Sequence, residues 1–157
     1  MARAVTGLVP HLWYVKEARE AARFYTRLFP RSRIDRTWKL AGRGTVDCVE
    51  FRLFGQPVFA MSAGEHHPFN DAISLGVYCR TQKEVDRYWK AILRNGGKEV
   101  ACGWIQDKYG VRWQIVPTAL MDMMADRDRK KAARVAAEMQ QQVKFDIAKL
   151  EAAFNGR

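Results

Sequence analysis

The sequence predicts an α+β fold in which two similar βαβββ-type modules are followed by C-terminal helices. Three observations point there. A strand-then-helix pattern occurs twice, short strands follow each helix, and the periodicity turns helical beyond Pro117. An offset of 64 residues superimposes Tyr14 on Tyr78, Glu20 on Glu84, Arg23 on Arg87, and Phe24-Tyr25 on Tyr88-Trp89. At 157 residues, 48% hydrophobic and 28% charged, the chain has ordinary globular usage and enough length for a core.

The first module opens on Leu12-Trp13-Tyr14-Val15, read as a strand. A helix ending near Phe29 follows, with Ala18, Ala21, Ala22, Tyr25, Leu28 and Phe29 on one apolar stripe and Pro30 as its stop. Strands are expected near Ile34–Leu40, Val46–Phe54 and Pro57–Ser62, separated by turns at Ala41–Gly44 and Gly55-Gln56. Val49, Phe51 and Leu53 alternate with Glu50 and Arg52, as in a sheet with one face on a core. The second module opens on Ile73–Cys79. Thr81 and Glu84 then have capping-box spacing, in which both side chains satisfy free N–H groups at a helix start. Val85, Tyr88, Trp89, Ile92 and Leu93 form that helix's buried face, and Asn95-Gly96-Gly97 ends it. Strands near Val100–Gln106 and Val111–Val116 flank the turn Asp107-Lys108-Tyr109-Gly110. Asp126 is the expected N-cap of the helical tail. The organisation expected is one domain over 1–157, with modules at about 6–63 and 72–117 and a helical extension over 118–157.

Charge and cysteine usage narrow the functional classes. Net charge is +10, so a nucleic-acid partner has to be weighed. Residues 1–60 hold 11 Lys/Arg against 5 Asp/Glu, while 61–118 and 119–157 each hold 8 against 6. The excess is spread among apolar positions, without a basic block or zinc-finger spacing, so a solvated basic face is expected and a nucleic-acid role is not. No apolar run reaches the roughly 20 residues of a membrane span. Leu8–Val15 is interrupted by Pro10 and His11, and Lys16-Glu17 follows, which favours a strand over a signal peptide. Cys48, Cys79 and Cys102 are odd in number and lack metal-ligand spacing, as for reduced thiols in the cytoplasm.

Two modules that open strand–helix and close on a hairpin resemble the vicinal oxygen chelate superfamily of glyoxalases, bleomycin-resistance proteins and extradiol dioxygenases. The stretch Asp107-Lys108-Tyr109-Gly110-Val111-Arg112-Trp113-Gln114-Ile115 is similar to that superfamily's closing hairpin. Pro10-His11-Leu12-Trp13, Leu28-Phe29-Pro30, Phe69-Asn70, Glu84–Trp89, Cys102-Gly103-Trp104 and Lys144–Ala153 resemble its PhnB-like branch, whose members often carry the label demethylubiquinone methyltransferase. The resemblance implies cup-shaped mixed sheets with a binding site on their concave faces, and pairing of modules within a chain or between chains. Catalytic members hold a divalent metal with His, Gln or Glu from the first and last strands of each module, so that it polarises two neighbouring substrate oxygens.

Carried onto this chain, those positions are His11 (to within one residue), Met61 or Ser62, Ser74 and Gln114. One imidazole and one amide without a carboxylate make a poor cation site, so the metal positions are read as vestigial and no cofactor is expected. The residues expected to face a bound small molecule are His11, Trp13, Glu50, Ser74, Trp104 and Gln114, with Trp113 on the helix side of its strand. His66-His67 is read as an exposed loop pair and Cys102 as an inert thiol. No catalytic residue is assigned. The function expected is small-molecule binding by a homodimer; the alternatives are a metal-dependent lyase, isomerase or dioxygenase, and a methyltransferase. For S-adenosylmethionine the only close glycines are Gly42 and Gly44, between short strands rather than before a helix. The homodimer rests on unpaired strand edges and on two apolar stripes, Ala132/Ala133/Val135/Ala136/Met139 and Ile147/Leu150/Phe154, that need a cover.

Overall fold

Strict alternation shapes the first unit. The structure is a computed structural model describing residues 7–42, 44–65 and 68–157, and the chain divides into two compact units at Pro68. Strand β1 (His11–Tyr14) buries Leu12 and Tyr14 and leaves His11 and Trp13 exposed. Helix α1 (Ala18–Leu28) packs Ala18, Ala21, Ala22, Tyr25 and Leu28 inward. Strands β2 (Arg33–Gly42), β3 (Gly44–Leu53) and β4 (Gln56–Ser62) follow. The sheet runs β1-β4-β3-β2, parallel only at β1–β4. Val49, Phe51, Val58 and Ala60 are buried on the side that α1 covers. Glu17 gives α1 no side-chain cap; the amide of Ala18 instead donates to Ser62 Oγ at 3.0 Å.

The second unit repeats this order with β5 (Leu75–Cys79), α2 (Gln82–Arg94), β6 (Lys98–Glu99), β7 (Trp104–Gln106) and β8 (Arg112–Pro117), arranged β5-β8-β7-β6. Thr81 caps α2, its Oγ accepting from Glu84 N at 3.2 Å; the Glu84 carboxylate accepts from Arg80 N, one residue before the cap. The repeat needs two offsets. Helices superimpose at 64, but Tyr14 is buried while Tyr78 is 59% exposed, so Tyr14 matches buried Cys79 and Trp13 matches Tyr78. The second unit has one residue fewer between strand and helix.

Two expectations change here. The strand over Val100–Gln106 is interrupted, because Cys102 (φ 51°) and Gly103 (φ 78°) form a left-handed turn. Their amides donate to the carbonyls of Gln142 and Val143, both at 2.8 Å, so a distant segment overrides local strand preference. Asp107 closes the next hairpin: buried, it accepts from the amides of Tyr109 and Val111 and from Trp113 Nε1. Trp113 is thereby held on the helix side, as its alternation with Gln114 implied.

Helices α3 (Thr118–Met124), α4 (Arg129–Gln141) and α5 (Ile147–Phe154) finish the chain. The cap of α4 is Asp128, which accepts from Lys130 N and Lys131 N; Asp126, the expected cap, lies two residues earlier and accepts from Asp128 N. Val116, Leu120, Met123, Val135, Phe145 and Leu150 form one buried cluster, with Met139 and Phe154 packed against it. Both apolar stripes are therefore covered largely within their own unit, which removes one of the two reasons for expecting a dimer. Among the described residues no helix is long and apolar enough to cross a membrane.

Candidate functional site

Cross-strand register decides which residues share the helix-free face of the first sheet. His11 pairs with Phe59 and Trp13 with Met61; Phe59 pairs with Glu50 and Met61 with Cys48; Glu50 pairs with Arg36 and Cys48 with Trp38. The face therefore carries His11, Trp13, Arg36, Trp38, Glu50, Phe59 and Met61. The Phe59 ring centre lies 4.6 Å from that of His11 and 5.7 Å from that of Trp38. Trp13 is 40% exposed, and its Nε1 donates to Gly64 O at 3.4 Å. The Arg36 guanidinium lies 4.5 Å from the Trp38 ring centre and grips Glu50 with two hydrogen bonds, at 2.7 and 3.2 Å. That carboxylate raises the guanidinium's pKa, through its hydrogen bond first and its charge second. Arg52 is held by Asp35, which also takes Arg33.

His11, Trp13 and Glu50 thus fall on one face. Ser62 does not: its hydroxyl is buried on the α1 side by the Ala18 bond, and the helix-free position on β4 is Met61. Trp38, Phe59 and Arg36 are the additions that sequence reading missed. Alternation along β2 and β4 was visible; which phase faced α1 became legible only from register, and a bulge between Ile34 and Arg36 breaks the phase of β2.

In the second unit Gln114 Nε2 donates to Ser74 Oγ at 2.6 Å, and Trp104 is the register partner of Gln114. These three expected residues also share a face, where Gln114 and Ser74 are hydrogen-bonded to each other. Towards the far end of that face Val116 is buried in the C-terminal helical cluster. A separate groove of about 780 Å³ lies between α3 and α5, lined by Ala119, Asp122, Met123, Glu151 and Phe154 among others.

The model of the family described as 3-demethylubiquinone-9 3-methyltransferase matches residues 6–116. The chain belongs to this family. It is the PhnB-like branch of the vicinal oxygen chelate superfamily, and solved structures agree. The PhnB protein of Bacillus cereus is 28% identical at a TM-score of 0.64, covering 71% of this chain and 99% of that one. Protein PA1353 of Pseudomonas aeruginosa is 16% identical (TM-score 0.58; 72% and 98% covered). The fosfomycin resistance protein FosX of Listeria monocytogenes is 15% identical (TM-score 0.60; 78% and 100% covered). The last two show likeness of fold. No curated protein is significantly similar.

The donor set of this PhnB-like chain does not fit a chelated divalent metal. Among the described residues no three His, Cys, Asp or Glu side chains converge, and His66 and His67 lie outside them. On the first face the neighbour of His11 is a phenyl ring, and the matching β4 position is a thioether. On the second, a Gln114 amide bonded through Nε2 to the Ser74 hydroxyl is the matching pair, with no carboxylate or imidazole beside it among the described residues. The S-adenosylmethionine pattern is equally misplaced: Gly42 and Gly44 are register partners at the tip of the β2–β3 hairpin, with no helix start behind them. Cys48 and Cys79 are not poised as nucleophiles. Burial pushes Cys48 up and, with a smaller push from Glu84, takes Cys79 to about 12, while Cys102 packs beside the helical cluster.

Proposed function

We propose that this PhnB-like protein binds a small, planar, uncharged and oxygenated aromatic molecule on the helix-free face of its first sheet. One observation carries the reading: Trp38, Phe59 and His11 present linked ring surfaces beside half-exposed Trp13, while the cations of that face are already paired with Glu50 and Asp35. A free carboxylate on the ligand would have to displace one of those pairs. An apolar ring gains stacking area instead, and His11 can donate or accept one hydrogen bond to a ring oxygen. The family's name points the same way, to a ring of the ubiquinone type.

Titration of the purified protein with methoxylated benzoquinones and hydroquinones and with aromatic carboxylates, followed by tryptophan fluorescence and calorimetry, tests it. Saturable quenching by the uncharged rings, about tenfold weaker in Trp38→Ala, is expected. Preference for the carboxylates, or no binding by either class, would sink the reading. The methyltransferase alternative predicts stoichiometric heat with S-adenosylmethionine. The metal-enzyme alternative predicts tight Mn(II) or Zn(II) uptake that His11→Ala abolishes.

A homodimer remains our expectation for assembly, supported by the four edge strands β1, β2, β5 and β6. Light scattering should give twice 18.1 kDa. A cytoplasmic location fits the free cysteines, of which Cys48 and Cys79 are buried.

A further inference from the structure

Helix α2 separates its residues sharply. Val85, Tyr88, Trp89 and Ile92 are buried against the sheet, and every fully exposed position on the helix is basic: Lys83, Arg87, Lys90 and Arg94. At 100° per residue those four lie within an arc of about 60°, and they span roughly 16 Å along the axis. Exposed Arg80 and Lys98 extend the row at either end. The two acids of α2 also have partners off the row. Glu84 accepts from the Arg80 amide, and Asp86 is tied to Lys144 and Gln82, although it still feels Lys90. The balance of 8 cations to 6 anions over residues 61–118 hid this segregation. Helix α1, the matching element of the first unit, lacks it: its exposed positions are Glu20, Arg23 and Arg27, and Arg19 pairs with Asp47.

From this row we infer that α2 is a docking surface for the phosphate backbone of duplex DNA, bound without sequence preference. The chemistry of the row selects among polyanions. A protein partner calls for an aromatic or aliphatic anchor at the centre of the contact, and a membrane surface calls for apolar side chains that insert; the exposed face of α2 has neither. Single strands are held by stacking on aromatic rings, and here Tyr88 and Trp89 are buried. Double-stranded RNA is gripped in part through its 2′-hydroxyls by polar groups, whereas the row holds cations alone. A rigid line of ammonium and guanidinium groups suits a rigid line of phosphates, and counterion release supplies the affinity. With its other side packed on the sheet, α2 lies along the backbone and does not enter a groove.

The test is fluorescence anisotropy of the full chain with a labelled mixed-sequence duplex of about 20 base pairs, between about 50 and 200 mM salt. Four phosphate contacts predict a log–log salt slope near −3.6 and a dissociation constant of about 10⁻⁶ to 10⁻⁴ M at physiological salt. The double variant K90E/R94E should weaken binding at least tenfold and flatten the slope by about 2. R23E/R27E removes the same charge from α1 and should change affinity less than about threefold, because only the row on α2 makes contacts. Equal losses in the two variants would show a response to net charge and overturn the proposal. Tighter binding to single strands, to phosphatidylserine vesicles or to polyglutamate at the same salt would overturn it too.

Discussion

The two sheets come from one repeated unit, and their helix-free faces have been put to different uses. On the first, Trp13, Trp38, Phe59 and His11 expose ring surface, and no helix of that unit lies over them. On the second, Ser74 and Gln114 close on each other, and Val116 is drawn into a core shared with α3–α5. The strap that fastens those helices runs from Gln142 to Ile147. It bonds Cys102 and Gly103 through backbone carbonyls, and Gln82 through the carbonyl of Phe145 and the amide of Ile147. If the first face holds the proposed ligand, a duplicated fold has needed only one open face for it. The other becomes a surface on which more chain can be built.

The comparison breaks most visibly at Phe145. Phe145→Ala should cost about 3–5 kcal/mol in chemical denaturation, since the ring is fully buried and nothing stands ready to refill its space. If the loss is below about 1 kcal/mol, the helices are an appendage and not part of the second unit's core. Asp107→Ala comes next, at roughly 2–4 kcal/mol, because two amides and an indole N–H lose a common acceptor in a buried hairpin. Ligand titration sharpens the contrast between the faces: Trp38→Ala should weaken binding of an uncharged ring about tenfold, and Trp104→Ala less than twofold. Reversal of that order would move the site to the second sheet. The smallest effect belongs to the ion pair that anchors the strap. The hydrogen bond from Lys144 holds the Asp86 carboxyl below the usual range. Its contribution is therefore present above the ordinary carboxyl pKa and fades as pH falls through the lowered folded value. Both side chains are about one-third exposed, so Asp86→Asn should cost less than about 1 kcal/mol near neutrality and flatten the acid limb of a stability–pH curve.

Periodicity made much of this legible in advance. The stripe of Ala18, Ala21, Ala22, Tyr25 and Leu28 marked α1, and Thr81 with Glu84 marked the start of α2, because both signals are local and depend on one geometry. The misreadings share a cause. Matching Tyr14 to Tyr78 carried the helix offset into the strand, and the single residue by which the two links differ turns every strand side chain to the other face. Ser62 was one of two choices at the end of β4, and only its bond to the Ala18 amide placed it under α1. Trp38 went unseen because, Arg36 apart, its neighbours come from β3 and β4, beyond the reach of any window along β2. Asp128 displaced Asp126 by two residues in a run, Asp126-Arg127-Asp128, where either acid could serve as a cap.

Gly103 bears on how such a chain can change over time. A Cβ at that position would overlap the Phe145 ring, and its φ of +78° is one that side-chain-bearing residues rarely adopt. The notch and the ring that fills it lie some forty residues apart and outside any shared local pattern. Substitutions at the two sites are therefore coupled: a lineage that loses the C-terminal helices frees residue 103 from one of its two constraints, and a lineage that mutates Gly103 first must shrink the ring or release the strap. Among relatives, a glycine here should keep company with a long helical tail, and its replacement with a short one.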